Sequence, residues 1–173
     1  MQMNEHIQKS AQVNQELQKA IELREKGELN ESKNIILRLV EDHPNNAFLN
    51  YQCAWSHDVL GEERKAVPYY EKAIQLGLEK ENLEDALLGL GSTYRTLGEY
   101  EKSKETFLKG LESFPNNRAI QVFYAMTLYN VKEHHQAMEL LLKNIAETTG
   151  DEDIKKFGRA IGFYADKLDT VWE

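Results

Sequence analysis

A chain of 173 residues with only three prolines has room for one domain that buries about 70% of its unfolded surface, and it suits helices better than a turn-rich β fold. Its formal net charge is −8, with the acidic residues spread along the chain, so its surface repels phosphate backbones and anionic lipid; nucleic-acid and membrane-surface binding are excluded. The single cysteine, Cys53, allows no intrachain disulfide, the N-terminal "MQMNEHIQKSAQVNQELQ" lacks the apolar core of a secretory signal, and no apolar run approaches the roughly 18 residues of a membrane span; a soluble, cytoplasmic protein is expected.

In chain order, a first helix carrying Leu17, Ala20, Ile21 and Arg24 runs into "KGEL" at Lys26 to Leu29. A second helix follows with Ser32, Ile36 and Val40 on one face, and closes at "EDHPNN", Glu41 to Asn46. The next pair repeats the plan: Phe48, Tyr51, Ala54 and Trp55, then "LGEE" at Leu60 to Glu63, then Ala66, Tyr70 and Ile74, with Pro68 near the helix start where a missing N–H is tolerated. After the insertion "LGLEKENLEDA", in which Asn82 is the expected N-cap, a third pair brings Leu88, Gly91 and Arg95, the turn "LGEY" at Leu97 to Tyr100, and Ser103, Phe107 and Leu111. "ESFPNN" at Glu112 to Asn117 closes it. A fourth pair offers Val122, Ala125, Met126 and Tyr129, the degenerate turn "VKEH" at Val131 to His134, and Ala137, Leu141 and Ile145. Finally Thr149 and Glu152 make a capping box for an amphipathic helix whose seam is Ile154, Phe157, Ile161, Tyr164, Leu168 and Val171.

The turn markers recur at spacings of 34, 37 and 34 residues, and the two "PNN" markers lie 71 apart on the same ruler. Gly89, Gly91 and Gly98 therefore read as repeat punctuation and not as a phosphate loop, since Tyr94 stands where a nucleotide fingerprint needs its third glycine. Gly27, Gly61 and Gly98 share the register of the turn; Lys132 takes that place in the fourth copy, where a looser turn is expected. Gly91 shares with Ala20, Ala54 and Ala125 the register at which two helices cross closely, and Gly89 has no counterpart.

A period near 34, with Leu87, Leu90-Gly91, Tyr94, Ser103, Phe107 and Pro115 in the third copy, resembles the tetratricopeptide repeat over roughly Asn14 to Gly150. Size and repeat layout are similar to the small bacterial group-five tetratricopeptide family, for which self-association is suspected. The resemblance implies an all-α, right-handed solenoid of four helix pairs, at about 13–46, 47–80, 84–117 and 118–150, in a single domain closed by a C-terminal helix over about 151–171. That helix serves either as a cap on the fourth repeat or as half of a homodimer interface.

No constellation for catalysis, cofactor or metal emerges. His134 and His135 point to different helix faces, His57 and Cys53 read as packing residues, and Glu28, Glu62, Glu99 and Glu133 recur because each opens a helix, where negative charge suits the macrodipole. Function is expected on the concave face that the resemblance assigns to the first helices. By register, Leu17, Ile21, Phe48, Tyr51, Trp55, Leu88, Val122, Met126 and Tyr129 line it, with Arg95 and Arg24 at its margin. The cationic clamp by which family members hold acidic chaperone tails is missing: Leu17, Ile21, Gln52, Asp85 and Gly89 stand there. The expectation is a non-enzymatic scaffold that binds a helix or apolar peptide in an open groove, or a groove partly filled by the protein's own first helix. A signalling-peptide receptor and a secretion-type chaperone are the alternatives.

Overall fold

The computed structural model describes the backbone of residues 2–172 and the side chains of residues 11–172. All regular structure among them is helical: α1 (Gln2–Glu25), α2 (Leu29–Asp42), α3 (Ala47–Asp58), α4 (Glu63–Leu76), α5 (Lys80–Thr96), α6 (Tyr100–Ser113), α7 (Arg118–Asn130), α8 (His134–Thr148) and α9 (Glu152–Tyr164). The chain divides within α5 into two compact units, one ending at Thr93 and the other beginning at Tyr94. In the first, α1 packs on α2, α2 on α3 and α3 on α4; in the second, α6, α7, α8 and α9 pack in the same consecutive way.

The repeated turns have one geometry. Glu28, Glu62, Glu99 and Glu133 each donate their backbone N–H to the carbonyl five residues earlier, at 2.9 Å in every case. The residue before each sits at positive φ: Gly27 at 85°, Gly61 at 69°, Gly98 at 77° and Lys132 at 69°. This is the left-handed helix stop, in which two orphan carbonyls find donors. The looser fourth turn is not observed. Lys132 adopts the glycine conformation because the same two hydrogen bonds, to Tyr129 O and from Glu133 N to Leu128 O, hold it there. The left-handed form costs a non-glycine residue about 1–2 kcal/mol, against about 0.4–1 kcal/mol for the added unfolded-chain freedom of glycine. Lys132→Gly is therefore expected to stabilise the protein by about 0.5–1 kcal/mol, read as a higher urea midpoint with an unchanged slope.

The "PNN" marker also has a physical cause. Its second asparagine is an N-cap: the Asn46 carboxamide oxygen accepts from Leu49 N at 3.0 Å, and that of Asn117 from Ile120 N at 2.8 Å. Two other cap expectations are corrected. Asn82 lies inside α5, whose first turn opens earlier with Leu83 N donating to Glu79 O. α9 is capped by Asp151, which accepts from Ile154 N at 3.0 Å, while the Thr149 hydroxyl accepts from Asp151 N instead of capping the helix.

Small residues sit where helices cross: Ala20, Ala54, Gly91 and Ala125 are buried, as are Ser32, Ala66, Ser103 and Ala137 on the second helices. In the first unit Leu17, Ala20, Ile36, Leu39, Leu49 and Cys53 form one cluster. The second unit centres on fully buried Phe107 and Ile120, with Ala125, Leu128 and Ala137 packed together nearby. Ile145, expected on the packing face of α8, is exposed; Asn144 takes the inward position and donates to the Gln121 side chain at 2.9 Å.

The C-terminal helix differs most from its expectation. α9 ends at Tyr164, followed by turns in which Lys167 N donates to Tyr164 O and Thr170 N to Lys167 O. The Lys167 ammonium caps the helix end by donating to Phe163 O at 3.0 Å, so Leu168 and Val171 lie beyond the helix. Its inward row is Ile154, Gly158, Ile161 and Ala165, and Phe157 is 57% exposed. Gly158 lies against α8, where an added Cβ would make ordinary van der Waals contact with Ala146 O at 3.4 Å.

Candidate functional site

α1, α3, α4 and the part of α5 within the first unit bring together a cation, four rings and two carboxylates. Arg24, in the last turn of α1, donates to the Gln52 carboxamide oxygen at 2.6 Å and to the Ser56 hydroxyl at 3.4 Å. Its guanidinium carbon lies 4.0 Å from the centre of the Trp55 ring. Burial lowers its pKa, partly offset by the neighbouring tyrosines Tyr51 and Tyr70. Fixed on both sides, the guanidinium positions the indole. Tyr51 stacks on Trp55 at 6.0 Å with an angle of 28° between the rings, and Phe48 and Tyr70 lie 6.1 and 6.4 Å from Tyr51. Successive turns of α3 thus carry one aromatic row.

Below this row lies Asp58, the last residue of α3. Its carboxylate accepts from the Tyr70 hydroxyl and from the Thr93 hydroxyl, each at 3.2 Å. Burial raises the pKa of Asp58, and the two hydrogen bonds pull it back. Asp85 on α5 lies near the Tyr51 phenol; burial first, and then this carboxylate, push the phenol up to about 12. Burial and Asp58 raise Tyr70 in the same direction.

Two pockets flank Trp55. One, of about 280 Å³, is walled by Tyr51, Trp55, Tyr70 and Leu88, with Asp58, Asp85 and the bare backbone of Gly89 completing it. The other, of about 350 Å³, lies between Ile21, Arg24, Leu29, Gln52 and Val59 on the opposite rim of the indole.

The structure places the sequence-derived site residues unequally. Trp55 is 40% exposed and Ile21, Phe48 and Leu88 are half-buried, whereas Leu17 and Tyr51 are buried, the former within the core cluster. Tyr51 contributes as the wall behind Trp55. In the second unit Met126 and Tyr129 are exposed, Val122 is half-buried, and Arg95 donates to the Asn130 carboxamide oxygen at 3.3 Å. Tyr129, the most exposed ring of this set at 63%, lies 4.7 Å from the His134 ring.

Register also set Asp58, Asp85 and Gly89 on this face, but sequence reasoning read Tyr70 as a packing residue of its own helix and did not assign it to the site. The available signal was Gly89 itself, a helical glycine without a counterpart in the other copies. It makes room for Tyr70: a Cβ there would sit 2.5 Å from the tyrosine hydroxyl oxygen. Among the described residues no three His, Cys, Asp or Glu side chains converge as a metal site, and no helix is long and apolar enough to cross a membrane.

A family model described as tetratrico peptide repeat, of the fifth type, matches residues 47–168, most of the chain. The chain belongs to the tetratricopeptide-repeat family. The left-handed stops and the crossing alanines are the local chemistry of that repeat, and the fold is an all-α tetratricopeptide solenoid. A solved structure of similar fold is that of YrrB, described as a TPR protein with an unusual peptide-binding site: 17% identity, 95% of this chain and 97% of that one covered, TM-score 0.61. PilF of Pseudomonas aeruginosa is similar at 16% identity over 88% of each chain, with a TM-score of 0.39. In sequence, an alignment 108 positions long is 25% identical to Superkiller protein 3 of Saccharomyces cerevisiae and covers 58% of this chain and 7% of that much longer protein. A tetratricopeptide solenoid indicates a scaffold for protein–protein interaction.

Proposed function

We propose that this tetratricopeptide-repeat protein is a non-enzymatic scaffold that holds a helix or an apolar peptide on the exposed faces of its first helices. The observation that carries the reading is Trp55, an indole open to solvent yet fixed by Arg24 and Tyr51, with a pocket on either side. A ring already immobilised loses little side-chain entropy when a partner covers it, which is the character of an interface anchor. Met126 and Tyr129 are the corresponding exposed anchors of the second unit.

The test is selection of random displayed peptides on the intact chain. Selected peptides are expected to carry apolar residues at i, i+3 and i+4 spacing. Trp55→Ala should weaken them by about 2 kcal/mol, roughly thirtyfold, with circular dichroism unchanged; Tyr129→Ala does the same for peptides held by the second unit. Peptides that bind both variants as well as wild type would refute the reading.

A second reading, self-association, is favoured by the aromatic patch at the C-terminal end. Phe163, Tyr164 and Trp172 cluster with ring centres 5.1 to 6.3 Å apart, and each is about half exposed. Such a patch fits a homodimer seated through the outer face of α9 and the segment after it.

A further inference from the structure

The recess between Trp55 and Tyr70 is not simply apolar. Asp58 and Asp85 both line it, and neither takes part in any ion pair among the described residues. Arg24, the cation that shares Trp55, is taken up by Gln52 and Ser56. Asp58 is half-buried and receives only the neutral hydroxyls of Tyr70 and Thr93, while Glu63 adds a like charge nearby. A half-buried and an exposed carboxylate in one ring-walled recess, neither held in an ion pair, form a site complementary to a cation.

We propose that this recess receives a cationic side chain, the ammonium of a lysine or the guanidinium of an arginine, presented by the partner peptide; the proposal rests on the peptide-scaffold reading and specifies its partner. The apolar stem of such a side chain would lie along Leu88 and the Trp55 rim, and its head would donate to Asp58 and Asp85. A volume of about 280 Å³ has room for one such side chain. Among the described residues no third His, Cys, Asp or Glu joins the two carboxylates, and an anion would be repelled by both. The missing Cβ of Gly89 keeps the floor open, since Tyr70 occupies the space beneath it.

The test is NMR titration of the ¹⁵N-labelled full chain with Nα-acetyl-lysine methylamide and Nα-acetyl-arginine methylamide, with the uncharged norleucine analogue as control. Saturable shifts are expected at the Trp55 indole N–H and the Gly89 amide for the two cations. Binding should be at least tenfold weaker for norleucine and should decline with added salt. Asp85→Asn, at an exposed position, should lower lysine affinity about tenfold, and Asp58→Asn provides a second variant. Either carboxamide keeps an acceptor for its tyrosine, so a folded spectrum isolates the charge. Norleucine binding as well as lysine, or an unchanged affinity in both folded variants, overturns the cation site while leaving an apolar peptide groove intact. No shift at Trp55 or Gly89 with either cation, alongside displayed peptides that still depend on Trp55, also overturns it. Peptides that do not depend on Trp55 remove the underlying scaffold reading.

Discussion

Phe107→Ala is expected to cost the second unit about 3–5 kcal/mol, the usual range for emptying a fully buried aromatic site. Phe107 is the largest side chain that is completely inaccessible, and Phe123 lies across from it with ring centres 6.5 Å apart. Ser103, one turn earlier, bridges to the Thr127 hydroxyl at 2.9 Å and ties α6 to α7. The measurement is urea denaturation followed by circular dichroism. The midpoint should fall substantially, whereas Phe107→Leu, which keeps most of the volume, should recover much of the loss. A midpoint within a few tenths of a kcal/mol of wild type would mean that the second unit is not organised around this ring.

Gly89→Ala is the second large effect, and its sign is the informative part. In a helix interior the change should by propensity add about 1 kcal/mol of stability. Here the new methyl would lie 2.5 Å from the Tyr70 hydroxyl oxygen and 2.6 Å from the ring carbon that bears it. Tyr70 is 2% exposed and its hydroxyl is held by Asp58, so the ring cannot swing aside without breaking that bond. Overpacking costs about 1–3 kcal/mol, so after the propensity gain a net loss of up to about 2 kcal/mol is expected, together with a changed Trp55 fluorescence as the recess rearranges. Gly162→Ala is the control: it is helical, has nothing within 4 Å of the added atom, and should stabilise. If both variants gain stability, Tyr70 is not locked beneath Gly89.

Part of the candidate site was legible in the residues. Register alone placed Phe48, Tyr51 and Trp55 on one row of α3, because residues three and four apart share a helix face. It could not say that Tyr51 lies under Trp55 and is buried; register gives direction from the helix axis, not what the neighbouring helix covers. Nor could it bring Asp58, Tyr70, Asp85 and Gly89 together, since they come from three helices and meet only when those helices pack.

What the sequence determined by itself was the repeat: its period, its helix stops and its crossing points. These are local or nearest-neighbour properties. A positive-φ stop needs two backbone hydrogen bonds, and a crossing point needs one small side chain, so each copy writes them in its own residues. Tertiary structure decided where one copy departs from the pattern. Asn144 takes the inward place expected of Ile145, and its carboxamide reaches the Gln121 side chain on α7. Gly89 stands in a helix interior because Tyr70 of α4 fills the space its side chain would take. In each case a contact with a particular neighbour overrides the local preference, and the partner in that contact is not named by the local pattern.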